Sequence, residues 1–236
     1  MSLSSIDHKE IEHFAKDSMH WWDEEGAFAP LHKLNPTRIG YIRDTILSHY
    51  NRDSLKDLSI VDVGCGGGLV CEPLSRLGAD VTGVDADSQA IQVAKAHASD
   101  VGLVIDYQNC AAEDLDKKFD VVLSLEIIEH VSDVEGFVKS CASLCKDGGI
   151  VIFSTLNRNI KSFLMGVGAA EYILKWVPKG THDWRKFIKP AELSKFCRSN
   201  GLQVEALSGL VYDPISGSFH MNDKDIDVNY FLVARK

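Results

Sequence analysis

Apolar and polar positions along this chain follow two rhythms that take turns. Short β-branched runs, Ile60–Val63, Asp80–Val84, Val104–Gln108, Phe119–Leu125 and Ile150–Thr155, have the length and composition of buried strands. Helical patterns lie between them. Leu69–Leu77 follows the first run, and Ser88–Ala98 repeats Ile91, Ala94 and Ala98 at helical spacing, with Asp87 or Ser88 as the cap. Ser132 and Glu135 are spaced as a capping box for a helix reaching about Leu144, and Lys146-Asp147-Gly148-Gly149 reads as a glycine stop. Two later strand candidates, Leu202–Leu207 and Asn229–Ala234, follow a helix that begins after Pro190; they are expected to pair antiparallel at one edge. Strand and helix in alternation predict an α/β fold: a doubly wound, mostly parallel sheet of seven strands with helices on both faces.

Two segments lie outside that alternation. Residues 6–50 are expected to form a leading helical cap containing the pair Trp21-Trp22. Residues 157–189 form an insertion after the fifth strand, where substrate-side additions to such folds collect. No repeat or linker divides residues 1–236, so one domain is expected.

Composition narrows the classes. A net charge of −9 argues against a general nucleic-acid binder. The six cysteines, Cys65, Cys71, Cys110, Cys141, Cys145 and Cys197, contain no C-x-x-C pair and read as reduced, mostly buried thiols. With no apolar leader and no run near 20 apolar residues, a cytoplasmic protein is expected.

The chemistry is concentrated at the ends of the strands. The first run stops in Gly64-Cys65-Gly66-Gly67-Gly68, four glycines in five residues, and Asp85 follows Gly64 by 21 residues. Glycine allows the turn and a ligand's close approach, and an acid at that distance suits ribose hydroxyls. Leu69 stands where the dinucleotide fingerprint carries its third glycine. The pattern therefore points to S-adenosylmethionine as cofactor and away from an NAD-dependent dehydrogenase. In the loop after the third strand, Ala112 and Glu113 are expected at the adenine, with Glu113 or Asp114 as acceptor for its amino group. Arg38, read as the start of a helix after Asn35-Pro36-Thr37, is a candidate fork for the methionyl carboxylate.

After the fourth strand, Glu126, Glu129 and His130 are spaced to share one side of a helical turn. Two carboxylates and an imidazole suit either a divalent cation or a general base with its orienting acid. Ser162–Val177 is markedly apolar and flanked by Lys161 and Lys179. It reads as an interfacial membrane segment or as a lid over the substrate pocket. A non-catalytic lipid-binding module of a biosynthetic assembly is the other class such a segment serves.

Trp21-Trp22-Asp23, Pro30-Leu31-His32 with Asn35-Pro36, Ser154 to Asn159, Pro178 to Asp183, and Asp227 to Tyr230 make the chain resemble the ubiquinone-biosynthesis O-methyltransferases from about Ile11 to Tyr230. That resemblance implies a Rossmann-like class I fold. It also implies methylation of phenolic hydroxyls on polyprenylated intermediates, early and late in one pathway. By position, Arg38, Gly64, Asp85 and Leu125 would contact S-adenosylmethionine, with Gly66 in the same loop. Glu126, Glu129 and His130 would act in catalysis and hold a divalent cation, Mg2+ being the expected ion. Residues 160–187 would touch anionic lipids, associating the protein peripherally with the inner membrane. The partners implied are the polyprenyl phenol or quinol substrate and other enzymes of the pathway.

Overall fold

The computed structural model describes residues 18–164 and 184–236. Eight strands form a single sheet: β1 (Ser59–Val63), β2 (Asp80–Asp85), β3 (Asp106–Asn109), β4 (Phe119–Leu125), β5 (Cys145–Leu156), β6 (Gln203–Asp213), β7 (Ser218–Asn222) and β8 (Asn229–Arg235). Their order is β3-β2-β1-β4-β5-β8-β6-β7. The first five are parallel, and β8, β6 and β7 complete the sheet antiparallel. The sheet thus has one strand more than the seven expected. The antiparallel pair β6/β8 is present, but β8 lies inside the sheet beside β5, and β7 holds the edge.

Among the described residues, five helices longer than one turn flank the sheet: α1 (Ala29–Tyr50), α2 (Cys71–Arg76), α3 (Ser88–Asp100), α4 (Val134–Leu144) and α5 (Pro190–Ser199). Alternate side chains of one strand feed opposite cores. Val121 and Leu123 of β4 pack with Ile42 and Ile46 of α1, Leu74 of α2 and Ile91 of α3. Val122 packs with Phe137 and Cys141 of α4 and Leu193 of α5. The two-residue period of the strand therefore sorts the helices onto the two faces.

Local capping departs from expectation at three points. Asp133, not Ser132, caps α4, its carboxylate accepting from the Gly136 N–H at 3.0 Å. The glycines after α4 do not stand between helix and strand. Cys145 already pairs with Phe119, and Lys146–Gly149 fall within β5, where the register with β4 shifts. The third departure moves Arg38. Pro30 opens α1 in its first turn, as a residue without an N–H can, and Pro36 lies inside the helix. Arg38 is therefore in the middle of α1, in the buried stripe Leu34, Arg38, Ile42, Ile46.

Candidate active site

The carboxyl ends of β1, β2 and β4 converge on one crevice, as the doubly wound topology requires. The chain leaves β1 in a turn in which the Gly64 and Cys65 N–H groups both donate to the Val84 carbonyl, at 2.8 and 3.0 Å. Gly64, Gly66 and Gly68 have positive φ, which only glycine adopts without strain. The room their missing side chains leave is filled from within the protein. A Cβ on Gly64 would lie 2.2 Å from Ile127, and one on Gly68 would lie 2.2 Å from the Tyr107 hydroxyl. On Gly66 or Gly67 it would lie 2.4 Å from the Trp21 indole. Ile127 seated on Gly64 brings the segment after β4 against the glycine turn.

Asp85, half-buried at the end of β2, takes the Gly66 N–H on Oδ2 and the Asp87 N–H on Oδ1, both at 2.8 Å. Each oxygen keeps a lone pair for a ribose hydroxyl. Burial pushes its carboxyl up to about 6, against the pull of those backbone donors. Asn109 ties the end of β3 to this turn through the Asp85 and Ala86 carbonyls, at 2.9 and 3.0 Å. Beyond it, buried Ala112 and half-buried Glu113 lie on a short 3-10 turn, Ala112–Asp114. The Asp114 carboxylate folds back to the Ala111 N–H, closing its own turn.

Arg38 is 4% exposed. Its Nε donates to Asn35 Oδ1 at 2.7 Å, and Asn35 Nδ2 donates to the Leu69 carbonyl at the far end of the glycine turn, also at 2.7 Å. Burial lowers the guanidinium's pKa, and the fields of Asp62 and Glu126 oppose that shift. Asp62, within β1 and 2% exposed, is an acid that the strand reading passed over. The signal was present in both: an acid inside a β-branched strand and an arginine on a helix's apolar stripe.

At the end of β4, Leu125 is buried and Glu126 adopts φ +58, a strained backbone for a side chain with a Cβ. The strain is held from both sides. The Glu126 N–H donates to the Ser154 carbonyl at 3.0 Å, and its Oε1 accepts from Ser154 Oγ at 2.6 Å and Asn229 Nδ2 at 3.0 Å. The following turn buries Glu129, whose Oε2 accepts from Thr155 Oγ1 at 2.7 Å. Burial, and then the neighbouring Glu126 charge, raise the Glu129 carboxyl, while His130 opposes them. His130 is half-buried at the end of the same turn.

The three residues do not gather as a metal site. Among the described residues, no three His, Cys, Asp or Glu side chains are grouped to hold an ion. Glu126 and Glu129 each point an oxygen at a hydroxyl of β5 instead.

A methyltransferase-domain family model matches residues 37–207. The ubiquinone biosynthesis O-methyltransferase of Bartonella bacilliformis is 46% identical, covering 99% of this chain and 97% of its own. That of Bradyrhizobium diazoefficiens is also 46% identical, over 98% of this chain and 94% of its own. The chain belongs to the ubiquinone biosynthesis O-methyltransferase family. The family model and these relatives make the chain a methyltransferase. The fold is shared more widely. A magnesium protoporphyrin IX methyltransferase from Synechocystis, solved with bound S-adenosylmethionine, superposes with a TM-score of 0.65 at 18% identity, covering 100% of both chains. A possible histamine N-methyltransferase from Thermotoga maritima gives 0.67 at 17%, over 96% of this chain and 98% of that one.

Beyond the crevice, Ile160, Phe163 and Leu164 are exposed large apolar residues at the edge of the insertion. Most of the apolar segment Ser162–Val177 lies outside the described residues. Among those described, no helix is long and apolar enough to cross a membrane.

Proposed function

We propose that this enzyme transfers the methyl group of S-adenosylmethionine to phenolic hydroxyls of polyprenylated ring intermediates, serving both O-methylations of ubiquinone biosynthesis. The observation that carries the reading is Ile127 seated on Gly64, which puts the acid-rich turn after β4 beside the cofactor turn after β1. The crevice also fits the cofactor: an embedded arginine lies at one end and a half-buried aspartate at the other.

In this reading Arg38 faces the methionyl carboxylate and Asp85 the ribose hydroxyls. Ala112 and Glu113 flank the adenine, while Gly64, Gly66 and Leu125 line the wall between. The bound cofactor supplies an electrophilic methyl carbon on a sulfonium. The acceptor needs a phenolate, and a phenol with pKa near 10 is mostly protonated at neutral pH. His130 takes that proton, and buried Glu129 beside it favours the resulting imidazolium. Glu126, clamped by Ser154 and Asn229, holds the turn and its charge in place. The rest of the acceleration comes from orienting donor and acceptor.

The exposed Ile160, Phe163 and Leu164 support contact between residues 160–187 and the membrane that holds such substrates. Turnover of a short-chain polyprenyl catechol with S-adenosylmethionine tests the reading. His130→Ala is expected to lower kcat by about 10²- to 10⁴-fold with cofactor affinity unchanged. Wild-type turnover in that variant would remove His130 from the mechanism.

A further inference from the structure

The strap before α1 is tied down on both sides of Trp21. The Ser18 hydroxyl donates to the Asp87 carboxylate. Trp22 Nε1 donates to the Gly67 carbonyl at 3.0 Å, and its ring stacks on His97 with centroids 3.6 Å apart and planes 6° from parallel. Trp21 itself stacks on Phe28 at 3.8 Å and 8°, and His32 Nε2 holds its carbonyl at 2.9 Å. Among the buried side-chain polar atoms described in this strap, one has no partner. The Trp21 Nε1–H is shut off from solvent and has no acceptor. A buried indole N–H without an acceptor is rare, because its lost water is not replaced.

We propose that Trp21 is a cofactor-binding residue whose indole N–H donates to the methionyl carboxylate of S-adenosylmethionine. This rests on the methyltransferase reading above. Two observations select that end of the cofactor. His32, Asn35 and Arg38 follow one another at three-residue steps along one face of α1. The first holds Trp21, the second holds Leu69, and the third supplies the guanidinium. At the other end the Asp85 carboxyl, once ionised, repels a second carboxylate. Trp21 covers Gly66 and Gly67 between the two, so its ring also walls the methionyl half of the site.

Trp21→Phe keeps an aromatic ring beside Phe28 and the glycines and removes the N–H together with one ring of the indole, so the ligand that lacks the carboxylate serves as the control for lost packing. Binding is read by calorimetry on the whole protein, with S-adenosylhomocysteine and with 5′-methylthioadenosine, which lacks the carboxylate. The variant is expected to bind S-adenosylhomocysteine about 10- to 100-fold more weakly, the range for a hydrogen bond to a charged group. It is expected to bind methylthioadenosine as the wild type does. In the wild type, one of the four tryptophan indole N–H resonances is expected to shift with S-adenosylhomocysteine and not with methylthioadenosine, a readout independent of how the variant folds. Unchanged affinity for S-adenosylhomocysteine in the variant overturns the proposal. So does an equal loss for both ligands, or four indole signals that ignore S-adenosylhomocysteine. A wild type that binds neither ligand overturns the methyltransferase reading itself.

Discussion

Asp62 offers a test of the crevice that needs neither substrate nor cofactor. It is an acid within a strand, 2% exposed, with Arg38 nearby and the Cys71 thiol 3.5 Å from its Oδ2. Burial pushes its carboxyl from 3.8 up to about 6, and the attraction of Arg38 does not cancel that rise. A carboxyl whose pKa is higher in the folded chain binds its proton more tightly there, so the protonated form favours folding. That contribution is complete below about 3.8 and is lost as pH rises through about 6. A shift of this size corresponds to about 3 kcal/mol at most between the two forms. Asp62→Asn approximates the protonated side chain at every pH. The variant is therefore expected to match the wild type near pH 4 and to exceed it at pH 8 by up to about 3 kcal/mol. For a protein of this size that is a Tm gain of roughly 6–12 °C. Melting curves of both proteins from pH 4 to pH 8, without cofactor, measure the difference directly. Asp85, also pushed up to about 6, is present in both proteins, so its own titration largely cancels. A difference in stability that stays flat across this range would refute the reasoning.

Other tests probe the turn after β4 and the insertion. Exhaustive chelation is expected to leave turnover within about twofold, since the proposed proton transfer runs through His130 and Glu129; loss of activity restored by Mg2+ alone would refute that expectation. Asn229→Ala frees Glu126 Oε1 from one of its two side-chain donors and is expected to lower kcat about tenfold without changing S-adenosylhomocysteine affinity, both read from steady-state and binding titrations. Deleting 162–177 is expected to abolish sedimentation with anionic liposomes, and if neither form binds vesicles the membrane reading fails.

The sheet was legible because its strands are buried on both faces and read as continuous β-branched runs. β7 was not: Ser-Phe-His-Met-Asn has no buried residue and is a strand only through its pairing with β6. The cap differs from expectation where two acceptors are adjacent: Ser132 and Asp133 both suit a cap by residue type, and the folded chain uses Asp133. The placement of Gly64, Gly66, Asp85 and Glu126 through His130 just beyond or at the ends of β1, β2 and β4 was legible, because each follows a buried β-branched run. Arg38 was placed wrongly in its helix, since Pro36 imitates a helix start. Trp21, Asn35, Asp62, Ser154, Thr155 and Asn229 act through partners distant in sequence, which spacing along the chain does not reveal.

The glycine turn shows why such local reading has a physical limit. Its composition implies that something approaches the backbone closely, and composition alone assigns that to a ligand. In the folded chain Ile127, Trp21 and Tyr107 make the approach, each from a different element. A Cβ at Gly66 would therefore displace Trp21 before it met a cofactor. The same contacts join the strap, the cofactor turn and the turn after β4 into one packed unit. The protein accepts a cost inside that unit: a buried arginine, two aspartates with raised pKa, a strained glutamate and an orphaned indole N–H. In the proposed reading, Arg38, Asp85 and the Trp21 N–H gain a further partner from a ligand that carries a carboxylate at one end and hydroxyls at the other.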